Sequence, residues 1–166
     1  MSRYVMKQDW FSFGDDYTIR DAAGEDVLRV DGKVFCIGDQ LSLQTLDGRE
    51  LASIDQKLMS WGPTYEIYRG DNLAGIVKKH LFTLLHCKFS VDVPGPEDLE
   101  ATGSFLDMEY TFTRRGSPVA HVSNKRFFSL TDAYGIDIVP DEDDVLILAS
   151  AVVIDMICHP DGKHDH

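Results

Sequence analysis

The stretch "DEDDVLILASAVVIDMICHP", residues 141–160, decides the fold, because it is the most apolar part of the chain. No charged residue occurs from Val145 to Ile154, and Asp155 then interrupts the apolar run. A helix that spans a bilayer needs about 20 consecutive apolar residues, so this segment is too short to cross one. We therefore expect the segment to be part of a core and the protein not to be transmembrane. Reversible insertion of this segment into a membrane as a helix is the alternative.

The same stretch carries the start and stop signals of a soluble helix. Residues 141–144 are all acidic, at the end where the helix dipole favours negative charge, and Pro160 follows the apolar run. The apolar side chains cover every direction around a helical wheel, which leaves no face for water. The pattern predicts a helix over about 143–158 that the rest of the protein encloses. A buried strand is the alternative, although 145–157 is long for one.

A two-strand pattern recurs in the chain ahead of this helix. Evenly spaced units begin at Tyr17, Leu41 and Tyr65, and a fourth unit begins at Tyr110. Each unit has an alternating apolar run, a turn rich in Gly and Asp or Pro, and a second alternating run, which predicts a β-hairpin. Residues 94–103, "PGPEDLEATG", predict a loop between the third and fourth units. A hairpin meander closed into a barrel around the helix would bury the apolar faces of both.

A short motif in each unit supplies the candidate ligand-binding residues. A basic side chain or a histidine follows an aliphatic residue by three positions, at Lys33, Lys57, His80 and Lys125. One interpretation is that these residues are solvated corners between strands. The other is that they occupy equivalent places in the sheet and form a basic patch that binds an anionic ligand.

Composition and charge exclude several classes of function. The chain has 16 Lys and Arg against 28 Asp and Glu, a net charge of -12, so nucleic acid is not expected as a partner. The three cysteines, Cys36, Cys87 and Cys158, have no CxxC spacing and indicate neither a disulfide framework nor a zinc site. The first residues lack the apolar segment of a signal peptide, which predicts a cytoplasmic protein.

The sequence contains no recognisable catalytic motif, such as a nucleophile elbow, a P-loop or HExxH. We predict no catalytic residue, no metal site and no cofactor. Asp132 and Asp137, which flank "AYGI", would be the acid/base pair of a hydrolase, with His80 as a further candidate, but a turn explains them more simply. Asp155 must be paired, hydrogen-bonded or protonated inside an enclosed helix, and we interpret it as structural.

Three segments of the chain stand out for their likeness to a known family: "VFCIGDQLSL", "GSFLDMEYTFTRRGSPVAHVSNKRFFSLTDAYGIDI" and "VLILASAVVIDMI". They resemble the LURP-one-related family, whose fold belongs with the tubby C-terminal domains and the phospholipid scramblases. The resemblance implies a closed barrel of about twelve antiparallel strands wrapped around a hydrophobic C-terminal helix, in one domain over 1–159. From their polarity, we expect residues 160–166 to be a disordered tail. We assign structural roles to the matching residues Asp107, Tyr110, Asp132, Tyr134, Gly135, Asp137 and Asp155.

The resemblance implies a binding fold and supplies no catalytic residue. We therefore expect a non-enzymatic binding or scaffold module, and the candidate partners are a phospholipid headgroup and a protein. A hydrolase-like enzyme and a purely structural interaction protein are the alternatives.

Overall fold

The computed structural model of the chain is mainly β and ends in one long helix. It describes residues 1–7, 17–33, 40–57, 62, 64–81, 87–95, 97–124 and 133–158. The helix, α1, covers Asp144–Cys158. The strands are β1 (Ser2–Lys7), β2 (Tyr17–Asp21), β3 (Asp26–Lys33), β4 (Gln40–Thr45), β5 (Glu50–Gln56), β6 (Thr64–Arg69), β7 (Asn72–Leu81), β8 (Cys87–Asp92), β9 (Leu99–Ser104), β10 (Glu109–Arg114), β11 (Ser117–Ser123) and β12 (Ala133–Ile138).

The twelve strands form one closed antiparallel barrel in which each strand pairs with its neighbours in sequence. The barrel closes where β1 pairs with β12, from Ser2 opposite Ile138 to Lys7 opposite Ala133. Closure removes the unpaired strand edges that an open sheet would expose. The predicted mainly β fold, a closed barrel with a C-terminal helix, is confirmed.

The predicted hairpins are confirmed as β2–β3, β4–β5, β6–β7 and β10–β11. The prediction of a loop over 94–103 is wrong in its second half, because Leu99–Ser104 form β9. Only Leu99 and Ala101 of this strand are buried, so its alternation is too short and too weakly apolar to stand out in the sequence.

The antiparallel order gives the barrel two different ends. All odd-numbered strands finish at one end, which we call the upper end, and all even-numbered strands finish at the other, the lower end. Since α1 follows β12, it starts at the lower end and runs towards the upper end. Its 15 residues span about 22 Å, close to the height of a six-residue strand.

The helix fills the interior of the barrel. Every residue from Leu146 to Met156 is buried, including the polar Ser150 and Asp155. The helix contacts β5, β6 and β7 on one side and β12 on the other, and β6 lies six strands from β12 in the ring, directly across it. The apolar segment 145–157 is therefore part of the core of the protein.

Polar side chains fix the start of the helix at the lower end. Asp143 caps it by accepting a hydrogen bond from the Leu146 amide at 3.2 Å, and it also forms an ion pair with Arg69. The hydroxyl of Tyr4 donates to Asp144 at 2.7 Å. The Arg114 guanidinium donates two hydrogen bonds to Glu142, at 3.1 and 3.2 Å.

Candidate functional site

The structure places three of the four candidate ligand-binding residues at the upper end. Lys33 is the last residue of β3, Lys57 directly follows β5, and His80 is the last but one residue of β7. All three strands are odd-numbered, so they finish at the same end of the barrel. Lys125 and the side chain of Lys33 lie outside the described residues. The four positions are thus repeated in the sequence, and the three described ones belong to the same end of the barrel.

Lys57 is exposed and has an acidic neighbour. Its backbone amide donates a hydrogen bond to the Thr64 carbonyl at 2.9 Å, which closes the barrel wall between β5 and β6. Its ammonium nitrogen lies 3.7 Å from a Glu66 carboxylate oxygen, with 53% of the lysine side chain exposed. An ion pair this exposed contributes about 0 to 1 kcal/mol to stability.

His80 lies in the barrel wall beside a lysine of the next strand. Its Nε2 is 2.8 Å from the Ser90 hydroxyl, which fixes the ring against β8. Lys88 stands directly opposite His80 in the β7–β8 register and reaches Glu100 at 3.3 Å. Lys88 is not part of the sequence motif, because the motif relates residues within one strand and Lys88 lies on the neighbouring strand, β8.

A lysine that the sequence analysis missed belongs to the inner side of the upper end. Lys79 shares strand parity with Val77, which is fully buried, so its side chain starts from the inner face of β7. It is close enough to Cys158, the last residue of α1, for its charge to lower the pKa of that thiol, although burial is the larger effect and raises this pKa to about 12. The alternation Val77, Lys79 was the available sequence signal.

Three buried aromatic rings form a cluster, and one of them, Tyr110, lies near the last turns of the helix. The rings of Phe89, Phe105 and Tyr110 are in contact, with centroids 4.8 and 4.9 Å apart. Burial raises the pKa of Tyr110 well above its usual range, and the charge of Asp155 acts in the same direction. Asp155 therefore lies near Tyr110, in the upper part of the core.

The residues proposed for acid/base catalysis do not form a site among those described. Asp137 lies on the barrel wall and binds Arg3 through two hydrogen bonds, at 2.5 and 3.0 Å. Asp132 lies outside the described residues. The His80 ring lies within hydrogen-bond distance of the Ser90 hydroxyl. Among the described residues, no carboxylate forms a hydrogen bond or ion pair with this ring.

A second histidine has a hydroxyl and a carboxylate as neighbours, which are the residue types of a hydrolase triad. His121 lies between the Thr111 hydroxyl, at 3.0 Å from Nδ1, and a Glu109 carboxylate oxygen, at 3.6 Å from Nε2. The three residues lie on paired strands, where ladder bonds occupy the backbone amides that could otherwise stabilise an oxyanion. Glu109 also accepts a hydrogen bond from Ser123. The arrangement ties β10 to β11.

Neither a metal centre nor a membrane span is found in the described parts of the chain. Within the ranges that the structure covers, no three His, Cys, Asp or Glu side chains are grouped as metal ligands. Across the same ranges, no helix is both long and apolar enough to cross a bilayer.

Comparison with known proteins gives the family. The model of the LURP-one-related family matches residues 2–155, which is nearly the whole chain. The chain belongs to the LURP-one-related family. It is 33% identical over 162 residues to the uncharacterized protein YxjI of Bacillus subtilis (strain 168), a match that covers 97% of this chain and 96% of that protein.

A solved structure has the same fold as this LURP-one-related chain. A protein from Arabidopsis thaliana, determined by X-ray crystallography, superposes with a TM-score of 0.65 over 92% of this chain and 88% of that one. The two sequences are 18% identical, so this likeness shows the fold alone.

The residues that carry the resemblance to the LURP-one-related family lie mostly in the upper and middle parts of the wall and in the core. Asp107 accepts a hydrogen bond from the Ser104 hydroxyl at 2.6 Å in the turn between β9 and β10. Tyr134 is fully buried on β12, and Gly135 pairs with β1 and β11. Their structural roles, like those of Tyr110, Asp137 and Asp155, stay predictions.

Proposed function

We propose that this LURP-one-related chain is a non-enzymatic binding module that holds an anionic phospholipid headgroup at its upper end. The observation that carries the proposal is the grouping of Lys33, Lys57 and His80 at the ends of three neighbouring odd-numbered strands. Lys125, which completes the sequence motif, is included as the fourth ligand-binding residue. The proposal takes the protein to be cytoplasmic, where the membrane surface it meets carries anionic lipids.

The rest of the barrel supports a ligand at an end rather than inside. A small-molecule site normally requires a concave cavity, and the buried helix occupies the barrel interior from Leu146 to Met156. At the lower end, Arg69 and Arg114 are already bound to the acidic residues that start the helix. At the upper end, the pair between Lys57 and Glu66 is exposed, with 53% of the lysine side chain accessible to solvent.

The basic residues of the upper end must attract an anion although the whole chain has a net charge of -12. Electrostatic forces between exposed charges fall off over about 8 Å at physiological salt, so a headgroup in contact with the upper end responds mainly to the nearest charges. Each lysine near an anionic membrane surface contributes about 1 kcal/mol. Three lysines would give about 3 kcal/mol, on the order of 100-fold in affinity.

Vesicle flotation tests the proposal. Purified protein is floated with vesicles of phosphatidylcholine alone and with vesicles that also contain phosphatidylserine or a phosphoinositide, at low and high salt. We expect flotation with anionic vesicles only, and less of it at high salt. Titration with a soluble inositol phosphate, followed by calorimetry, separates headgroup recognition from attraction to a charged surface.

Charge-reversal variants locate the binding surface. The variant Lys33→Glu, Lys57→Glu, His80→Glu, Lys125→Glu should lose flotation while its circular dichroism stays that of the wild type. The matched control reverses three arginines of the lower end, Arg20→Glu, Arg49→Glu and Arg115→Glu, and should float like the wild type. Equal loss in both variants would mean that only net charge matters. No flotation in any condition would reject the lipid and leave a protein partner.

A further inference from the structure

The connections between strands differ in composition between the two ends of the barrel. At the upper end they read "QDWFSFGDD" (8–16), "VFCIGD" (34–39), "KLMSWGP" (57–63), "FTLLH" (82–86), "FLDM" (105–108) and "NKRFFSLTD" (124–132). At the lower end, with the segment ahead of α1, they read "AAGE" (22–25), "LDGR" (46–49), "GD" (70–71), "VPGPED" (93–98), "RG" (115–116) and "VPDED" (139–143).

The aromatic residues of the connections all belong to the upper end. Every upper connection contains a phenylalanine or a tryptophan, and no lower connection contains an aromatic residue. Apart from 105–108, nearly all residues of the upper connections lie outside the described ranges, so their composition is known from sequence alone. The sequence therefore makes one end of the barrel apolar and the other polar.

The connection 105–108 lies within the described residues and is anchored at both of its ends. Phe105 and Met108 are buried. The Phe105 ring packs against Phe89 and Tyr110, with ring centroids 4.8 and 4.9 Å away. The Met108 amide donates a hydrogen bond to the Phe105 carbonyl at 3.3 Å, which closes the turn. The backbone between these two residues is thereby held in one conformation.

Leu106 lies at the tip of this anchored turn and is 73% exposed. Its two neighbours prevent the turn from rotating to bury it, because Phe105 is part of the core and Asp107 accepts a hydrogen bond from the Ser104 hydroxyl at 2.6 Å. A single exposed leucine is common on protein surfaces. This one, however, is held outwards by a fixed turn at the end where every connection is aromatic.

Basic side chains belong to the same end as Leu106. Lys57 and His80 lie there, and Lys88 is the second residue of β8, the strand that pairs with β9. At a membrane surface, apolar side chains enter below the headgroups while lysines stay at headgroup level. Since the apolar residues occur in all the upper connections around the ring, they suit a flat bilayer better than a protein partner that covers one sector.

We propose that Leu106 is a membrane-inserting residue, which enters the boundary between headgroups and acyl chains when the upper end docks on a bilayer. Residues that insert in this way reach about 5 to 10 Å into the boundary region. The inference rests on the proposed function, because it takes the upper end as the lipid-binding end. It adds that the partner is an intact bilayer and that binding has an apolar component beside the electrostatic one.

Flotation of serine variants measures the apolar component. Leu106→Ser is compared with Leu46→Ser, which changes a leucine that is 50% exposed in a lower connection. The vesicles contain phosphatidylcholine with phosphatidylserine. Transfer of a leucine side chain from water to an apolar phase changes an equilibrium by about 10- to 100-fold. Because insertion at the boundary is partial, we expect Leu106→Ser to weaken binding about tenfold, equally at low and high salt, and Leu46→Ser to bind like the wild type.

Fluorescence quenching measures the depth of insertion. Leu106→Trp and Leu46→Trp each add one fluorophore to the native tryptophans, and the wild-type emission is subtracted. The probe is phosphatidylcholine with brominated acyl chains, mixed with phosphatidylserine. We expect bromine near the headgroup end of the chains to quench the emission added by Leu106→Trp and to leave that added by Leu46→Trp unchanged. Circular dichroism of all four variants should match the wild type, since both leucines are exposed.

The outcomes separate this inference from the proposed function. Wild-type flotation with no loss in Leu106→Ser and no quenching of Leu106→Trp would overturn the inference and leave headgroup binding in place. Equal flotation with neutral and anionic vesicles, lost in Leu106→Ser, would support insertion and overturn recognition of an anionic headgroup. Equal losses in the two serine variants would overturn the inference, and so would the absence of flotation in every condition, which rejects the proposed function as well.

Discussion

Replacing Gly103 with alanine tests how closely β9 and β10 must approach to close the barrel. Gly103 stands opposite Tyr110 in the strand register, and its φ of 141° lies in a region that L residues rarely adopt. A methyl group at this position would lie 2.5 Å from the Glu109 carbonyl oxygen and 2.7 Å from the Tyr110 Cα. Both are backbone atoms, so no side-chain rotation relieves the contact.

The expected loss of stability has two parts. The strained backbone conformation costs about 1 to 2 kcal/mol for a residue with a Cβ. Forcing an extra carbon into a closely packed place adds about 1 to 3 kcal/mol. We expect Gly103→Ala to lower the free energy of unfolding by about 3 kcal/mol, a large share of the 5 to 15 kcal/mol of an ordinary domain.

Gly48→Ala is the matched control for this prediction. Gly48 also has a positive φ, 92°, but a methyl group there would meet no atom within 4 Å. It should therefore show the backbone strain without the clash and cost about 1 to 2 kcal/mol. Urea denaturation of both variants, monitored by circular dichroism, gives the two free energies. Equal losses at the two positions would refute the reasoning, since the contact with β10 would then contribute nothing.

Three further substitutions have expected outcomes of different sign. Tyr4→Phe removes the hydroxyl that binds Asp144 and should lower the free energy of unfolding by about 1 kcal/mol. Burial and this hydrogen bond raise the pKa of Tyr4 to about 12. The stabilisation by the Tyr4 hydroxyl is therefore present below pH 10 and is lost as the pH rises through 12. Tyr110→Phe should change stability by less than about 0.5 kcal/mol, because the buried Tyr110 hydroxyl has no hydrogen-bond partner among the described residues. Asp55→Asn should stabilise the protein at pH 7 by a few tenths of a kcal/mol, because Asp55 stands directly opposite Glu66.

The pH dependence of the Asp55 variant follows from a sign argument. Burial, with the charges of Glu66 and Glu50, raises the pKa of Asp55 above its usual 3.8 in the folded protein. The charged form of Asp55 is therefore less favourable in the folded than in the unfolded protein. This loss of stability is present at neutral pH and disappears as the pH falls below 3.8. The gain from Asp55→Asn should vanish over the same range, and Asp31→Asn, on a nearby strand, serves as its control. A gain that persisted in acid would contradict this account.

The fold could be predicted where local chemistry and global architecture agree. The turn segments of the hairpins all contain Gly, and the uniformly apolar helix requires an enclosing wall, so hairpins, helix and barrel all follow from the sequence. The strand β9 did not follow, because the apolar residues Leu99 and Ala101 are followed by a glycine that the close approach to β10 requires. The requirement is visible only when the two strands are placed side by side.

The candidate site could be predicted only in part. The motif repeated at Lys33, Lys57 and His80 reports equivalent positions in successive hairpins, and the antiparallel order then puts them at one end. The approach of Lys88 to His80 and of Glu66 to Lys57 depends on cross-strand register, which the order of residues along one strand does not contain.

The difference between the two ends follows from a single constraint on the helix. An apolar helix placed inside a closed barrel must begin with its unsatisfied amides at one end, and here Asp143 satisfies the Leu146 amide while Arg69 balances the charge of Asp143. The acidic residues that start the helix thus bind the lower-end arginines Arg69 and Arg114, and their positive charge is neutralised there. At the upper end the helix finishes without a basic residue in its last turn, where the dipole is negative. The positive charge of Lys79, which acts on Cys158 at this end, is favourable for the end of the helix.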